Sequence, residues 1–278
     1  MDLRTSRRTF FGASAAALAV SRTGFTATSE DPREFKLGVA SYSLRKFNRA
    51  QAIAMLKQLN VKYVNIKDVH LPLTSTPEEI KAARKEFEDA GFIIEGGGNI
   101  SFNKDDDADI RSKFEYAKLA GMPIIVCAPT HVTLPKLEKF VKEYNIKIAV
   151  HNHGTEDKQF PTPQSVLEVV KNMDPRCGLC IDIGHTARTG VDIVESIRLA
   201  GPRLHSMHAK DLANSSSKES QCDVGDGVLP IPAIFKQLHK MNYTGGVMLE
   251  YEIHDTEPMP GMQKSLAYMR GVMAGLRA

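Results

Sequence analysis

Residues 178–185 read GLCIDIGH. A short apolar run ends abruptly in an aspartate, and a Gly-His pair follows. A run this short and this apolar reads as a strand buried on both faces, with the acid placed where the strand leaves the core. The same grammar recurs on either side. Residues 146–151 read IKIAVH and continue into NHG, residues 204–211 read LHSMHAKD, and residues 246–252 read GVMLEYE. Each is an apolar run closed by histidine, lysine or a carboxylate.

Worked outward, the pattern begins near residue 36 and fills the chain. Further apolar runs at 37–42, 63–67, 92–95 and 123–128 bring the candidate strands to eight. Amphipathic stretches lie between them at 50–59, 77–90, 108–120, 134–144, 163–171, 191–199 and 230–241, and another at 261–276 closes the chain. Thr76-Pro77-Glu78-Glu79 supplies an N-cap, a first-turn proline and acids matched to the helix dipole, and Thr162-Pro163 repeats the device. Ala90-Gly91 and Ala120-Gly121 are helix stops. Strands alternating with helices imply a parallel sheet, and eight units in about 240 residues fit a closed (β/α)8 TIM barrel of the α/β class. An open doubly wound sheet would want a Gly-rich phosphate loop after the first strand, where this chain has Ala40-Ser41-Tyr42-Ser43. Residues 212–229, containing Asn214-Ser215-Ser216-Ser217, form the longest irregular stretch and read as a mobile loop over the barrel mouth. Within it, Gly225-Asp226-Gly227 reads as a turn leading to Pro230 in preference to an anion-binding nest.

The chain has 278 residues, 42% hydrophobic and 25% charged, which suits one globular domain. Its net charge of +3 arises early, from Arg4, Arg7, Arg8 and Arg22 against Asp2 and Glu30. The remainder is close to neutral, so nucleic acid is not an implied partner. Ser6-Arg7-Arg8-Thr9-Phe10-Phe11 before the mild apolar stretch 12–20 reads as a twin-arginine export signal. The expected organisation is therefore a leader and linker over 1–30, one barrel domain over 31–278, and a periplasmic location. No later segment approaches about 18 apolar residues, so no membrane span is expected in the mature form. Of the four cysteines, Cys127, Cys177, Cys180 and Cys222, the pair Cys177 and Cys180 runs into an apolar strand pattern and reads as reduced core cysteines despite its C-x-x-C spacing. No single large apolar face settles assembly, and a homo-oligomer stays open.

In such a barrel, chemistry sits at the C-terminal ends of the strands. Five of the nine histidines fall there: His70, His151, His153, His185 and His208. Side chains two apart on a strand share a face, so His151 points with His153, His208 with Lys210, and Glu250 with Glu252. The steps from His151 to Asp182, to His208 and to Glu250 are 31, 26 and 42 residues, each about one strand-helix unit. Four groups from neighbouring strands can thus converge on one divalent metal. Two imidazoles and two carboxylates suit Mn²⁺, Zn²⁺, Co²⁺ or Fe²⁺, with Mg²⁺ also open, better than Ca²⁺. Spacing alone leaves His151 and His153 as rival ligands.

The segments IAVHNHG, CIDIGH, HSMHAKD, VGDGVLPIPAIFKQL and NYTGGVMLEYE resemble the xylose isomerase-like TIM barrels, the sugar phosphate isomerase/epimerase type. LGVASYSLRKF and NIKDVHLPL resemble an exported subgroup of them. Carried over by position, the resemblance implies metal ligands at His151, Asp182, His208 and Glu250. His185, in the Asp-x-x-His motif, is implied as a substrate or neighbouring group. One departure matters: where isomerases and epimerases of the family carry a glutamate, this chain has His151, so the two-base pair of an epimerase is incomplete. The remaining groups suit proton abstraction beside a ketone, with Glu250, His153, Lys67 and His185 as catalytic candidates. His70, Lys210, Asn152 and Glu252 are candidate contacts to a small carbohydrate substrate. Isomerisation of a keto-sugar and elimination from a 3-keto-glycoside follow equally from that chemistry. A sugar- or metal-binding module without catalysis is the rival class, and an endonuclease IV-like activity is disfavoured by the near-neutral charge.

Overall fold

The structure, a computed structural model, describes residues 34–277; the leader expected over residues 1–30 lies outside them. The strands are β1 (Lys36–Ala40), β2 (Tyr63–Ile66), β3 (Ile93–Phe102), β4 (Ile124–Pro129), β5 (Lys147–His151), β6 (Cys177–Asp182), β7 (Leu204–Ala209), β8 (Asp211–Leu212), β9 (Gln221–Cys222) and β10 (Gly246–Leu249). Eight of them close a parallel barrel in the order β1-β10-β7-β6-β5-β4-β3-β2, while β8 and β9 form a separate pair. The helices are α1 (Arg49–Gln58), α2 (Pro77–Asp89), α3 (Asp107–Leu119), α4 (Leu134–Tyr144), α5 (Pro163–Val170), α6 (Ile183–Arg188), α7 (Ile193–Ala200), α8 (Ile231–Lys240) and α9 (Met259–Gly275). The expected TIM barrel is therefore the observed fold. The Thr76 and Thr162 caps form as full capping boxes with Glu79 and Ser165.

The core lies in two places. A large cluster fills the space between sheet and helices and includes Phe87, Phe102, Phe114, Phe140 and Phe235. Burying each such ring contributes roughly 1.5–3 kcal/mol. A small second cluster, Val126, Ala149 and Cys180, belongs to neighbouring strands β4, β5 and β6. Alternation along a strand then stacks layers. His151 lies two residues above Ala149, and Asp182 two above Cys180. Cys177, three residues from Cys180, belongs to the outer cluster, so the two thiols sit on opposite faces of β6. Cys177 and Cys180 are free and buried, as expected, Cys127 is likewise free and buried, Cys222 is free and half-buried, and burial pushes the Cys177 thiol up to about 12.

Three local features go beyond the expected pattern. Strand β3, expected over 92–95, runs on to Phe102 through Gly96-Gly97-Gly98. The glycines are needed because β3 bulges against β4 here: Gly98 has φ +113°, and a Cβ on it would lie 2.0 Å from the Val126 carbonyl. A short helix, α6, starts directly from Asp182, whose carboxylate accepts the His185 N–H at 2.8 Å. The long loop over residues 212–229, expected to be mobile, is organised around one residue. The buried Asp211 carboxylate accepts backbone N–H groups from Leu212 (2.9 Å), Gly225 (3.0 Å), Gly227 (3.2 Å) and Leu229 (3.1 Å), and β8 pairs antiparallel with β9. Gly225-Asp226-Gly227 thus turns its amides towards an anion, and that anion is the chain's own carboxylate. Asp211→Ala should leave these donors without an acceptor, costing about 2–4 kcal/mol. Amide exchange at Gly225, Gly227 and Leu229 should quicken well beyond the change elsewhere. Unchanged protection at those three positions would show that something other than Asp211 holds the loop.

Among the described residues, no helix is long and apolar enough to cross a membrane. A large cavity, about 860 Å³, opens at the N-terminal end of the barrel, lined by Lys36, Glu95 and Lys147 among others. It lies at the opposite end from the histidine and carboxylate cluster. His205 also lines it, with Nδ1 2.9 Å from the Ile148 carbonyl, so this histidine points away from the cluster, as strand alternation predicts.

Candidate metal centre

Register places the four candidate ligands side by side. Asp182 pairs directly with His208 across β6 and β7, and His151 pairs with Cys180 on β6. Beyond the end of β10, the Glu250 N–H bonds the Ala209 carbonyl at 2.9 Å, which carries Glu250 alongside His208. One ligand atom from each of His151, Asp182, His208 and Glu250 lies within 4.8 Å of all the others. The individual separations are short. His151 Nε2 is 2.9 Å from His208 Nδ1 and 3.6 Å from Asp182 Oδ2, and His208 Nδ1 is 3.2 Å from Glu250 Oε2. All four residues are buried. His153 is not part of this set: its Nδ1 lies 3.2 Å from His151 Nδ1, on the outer side of that ring.

The donor set fits a divalent cation. Asp182 Oδ2, 3.6 Å from His151 Nε2 and 3.9 Å from His208 Nδ1, is buried without a hydrogen-bond partner, which is costly unless something else satisfies it. Lys210 Nζ does approach Asp182 Oδ2 at 3.0 Å, but as an ion pair too poorly aligned for a hydrogen bond. Protonation states also suit ligation. Burial holds His151 well below the ordinary imidazole range and lowers His208, so both are free bases. For Asp182, burial pushes upward, yet Lys210, His185 and His151 outweigh it and hold the carboxyl well below its usual range. Glu250 behaves alike: burial raises it, and His208, Lys67 and Lys210 more than reverse that.

Two lysines brace the carboxylates. Lys67 Nζ sits 3.0 Å from Glu250 Oε1. Lys210 Nζ lies 3.1 Å from Glu250 Oε2 and 2.5 Å from Glu252 Oε2. Burial opposes the Lys210 charge, but Asp182, Glu250 and Glu252 hold its pKa well above the usual ammonium value. Glu252 is the more exposed partner, with 38% of its side chain accessible. Gln221 on β9 joins the cluster by donating Nε2–H to the Glu250 carbonyl at 2.9 Å. Sequence reasoning misses it because it sits in the loop.

Two expected substrate contacts are engaged by the protein itself. Asn152 falls between His151 and His153, on the other face of the strand. Its Oδ1 accepts from the Asp182 N–H at 3.1 Å and its Nδ2 donates to Thr186 Oγ1 at 3.1 Å, tying β5 to α6. His70 is buried with Nδ1 2.9 Å from Ser41 Oγ and Nε2 3.2 Å from the Phe47 carbonyl. Both its ring nitrogens are used, so it holds the loop after β2 against the end of β1.

Beside the four-residue cluster, a cavity of about 380 Å³ opens between the ends of β3, β4, β5 and β6. His153 and His185 line it, together with Ser101, Asn103, Gln159 and Arg188. Burial lowers the pKa of both histidines, keeping them neutral. Such a polar cleft next to a metal-competent cluster is the form of a small-molecule site.

The pattern that defines the xylose isomerase-like TIM barrel family matches residues 18–272. The chain belongs to that family. An inosose dehydratase of Clostridium perfringens is 29% identical over 139 residues, covering 43% of this chain and 45% of that protein. The matches span less than half the length of the first curated relatives. Among solved structures, the IolI protein with a bound zinc atom superposes with a TM-score of 0.73 at 16% identity, covering 87% of this chain and 99% of that one. D-psicose 3-epimerase in the presence of D-fructose gives 0.66 at 16% identity, covering 87% and 98%. These structural likenesses confirm the fold that the xylose isomerase-like pattern names.

Proposed function

We propose that this xylose isomerase-like barrel is a divalent-metal-dependent enzyme that removes a proton next to the carbonyl of a keto-sugar or 3-keto-glycoside. The observation that carries the reading is the adjacency of two unlike sites: a buried cluster of two imidazoles and two carboxylates, and a polar cavity lined by two neutral histidines. His151, Asp182, His208 and Glu250 would hold the ion, which when bound supplies a Lewis acid for a substrate carbonyl. Relatives named as a dehydratase and an epimerase, and a related protein seen with zinc, support a lyase- or isomerase-type reaction.

The chain's own residues divide the remaining work. Glu250 is held on both oxygens by Lys67 and Lys210, which makes it a poor proton acceptor and a good ligand. His153 lines the cavity, and the one lone pair of its neutral ring is on Nδ1, 3.2 Å from His151 Nδ1. The proton goes to that nitrogen, in place of the hydrogen bond from His151. His185 stands across from His153, ring centroids 5.1 Å apart, and hydrogen-bonds a substrate oxygen. With His151 in place of the family's glutamate, no second carboxylate base completes an epimerase pair. One-sided isomerisation or loss of a β leaving group follows. The paired arginines Arg7-Arg8 imply that the enzyme meets its substrate after export.

The test is deuterium wash-in. Metal-loaded protein in heavy water, given a panel of keto-sugars and 3-keto-glycosides, should label the carbon beside the ketone. His153→Gln should slow that labelling by about 10²–10⁴-fold with metal content unchanged. Release of an aglycone separates elimination from isomerisation. Substrate binding without labelling would overturn the enzymatic reading in favour of a binding module.

A further inference from the structure

Arg188, on α6 one turn beyond His185, belongs to none of the strand-end motifs. Its guanidinium contacts His185 Nδ1 and forms an ion pair with Glu156. A second bond runs to the His153 carbonyl at 3.4 Å, and only 5% of the side chain is exposed. Backbone shape permits this approach: Gly154 has φ +78°, and a Cβ there would meet Arg188 Nη2 at 3.0 Å. The glycine of His151-Asn152-His153-Gly154 therefore makes room for the guanidinium.

A guanidinium has N–H donors and no acceptor. His185 Nδ1 must accept, so it carries no proton, and the single proton of the neutral ring sits on Nε2. That nitrogen is 4.0 Å from Asp182 Oδ2, on the side of the metal-competent cluster. The consequence is specific. Ring nitrogens of His151, His153 and His185 also approach within 4.8 Å of one another, a spacing that could hold a second cation. A histidine that binds metal through Nε2 must carry its proton on Nδ1, where it would point into the Arg188 N–H.

We propose that Arg188 is a positioning residue that fixes His185, which lines the substrate cavity, as an Nε2–H donor on the side of the metal-competent cluster and bars it from holding a second metal. The kinetic consequence rests on the carbonyl-enzyme reading above; the tautomer does not. Zinc-loaded protein labelled with ¹⁵N-histidine, with the His185 signals identified by their loss in His185→Gln, should show a protonated Nε2 and a bare Nδ1, with one zinc per chain. In Arg188→Ala the Nε2–H resonance should broaden through solvent exchange, while Arg188→Lys, which keeps a donor, should retain it. On a substrate found by deuterium labelling, Arg188→Ala should lower kcat about tenfold to a hundredfold with little change in KM, and Arg188→Lys should recover part of the loss. A proton on Nδ1 in the unmodified protein, a second zinc on His185, or an unchanged Nε2–H resonance in Arg188→Ala would each overturn the proposal. If no substrate is turned over by any variant, the carbonyl-enzyme reading fails and the spectra alone decide the tautomer.

Discussion

Asp182→Asn is expected to lose most bound metal and to lower turnover by about a thousandfold or more, while the barrel stays folded. Removing a Lewis acid forfeits several kcal/mol of stabilisation at the reacting carbonyl, and each 1.36 kcal/mol is roughly a factor of ten. Asparagine is the better probe here than alanine. Asp182 Oδ1 caps α6 by accepting the His185 N–H, and the amide oxygen of asparagine keeps that cap while removing the charge. Lys210 would still have Glu250 and Glu252 as partners, so no cation is stranded. His208→Ala should also strip the metal, since His208 Nδ1 lies 3.2 Å from Glu250 Oε2 at the centre of the cluster. His205→Ala supplies the control: it is a buried histidine on the same strand that faces the far end of the barrel, and it should keep its metal. Metal analysis of the three purified variants checks this, and equal content in all three would sink the assignment.

The convergence of Asp182, His208, Glu250 and one histidine of the 151/153 pair is legible in the sequence because two rules act together. Strand alternation fixes which face a residue takes, and the barrel fixes which end carries chemistry. Neither rule needs a side-chain contact to be known. What stays hidden depends on such contacts. Asn152 and His70 look like substrate groups at strand ends, but a sequence does not reveal that Ser41, Phe47, Thr186 and the Asp182 amide already use their polar atoms. Arg188 is hidden for the opposite reason. It lies past the strand end on a helix of six residues, too short to show an apolar period. Its signal is the spacing: three residues from His185 on a helix puts two side chains on one face. Strand β3 is longer than its apolar run at 92–95 because Gly96-Gly97-Gly98 offers no apolar side chain to extend the pattern. Only the close approach of the Val126 carbonyl explains glycine inside a strand there.

His151→Glu is expected to keep its metal and to lose much of its rate, and this variant probes a position where the family resemblance implies a glutamate. His151 Nε2 faces Asp182 and His208, so a carboxylate introduced there should still reach the ion. It would add one negative charge to a cluster that already holds two carboxylates. An ion held there would be less electrophilic and the C–H beside the substrate carbonyl less acidic, for a loss of about tenfold to a hundredfold. A second effect acts in the same direction: the His151 Nδ1 contact that steadies the His153 ring at 3.2 Å disappears with the imidazole. His151→Ala should lose the metal outright. His153→Ala should keep it and lose the proton transfer, because His153 stands outside the cluster and lines the cavity. The rival assignment, with His153 as ligand and His151 behind it, reverses these two alanine results. Metal content and deuterium wash-in measured together on the three variants separate the cases. A His151→Glu protein with an unchanged rate would show that the charge at this position does not set the electrophile, and the link between the missing glutamate and the reaction type would fall with it.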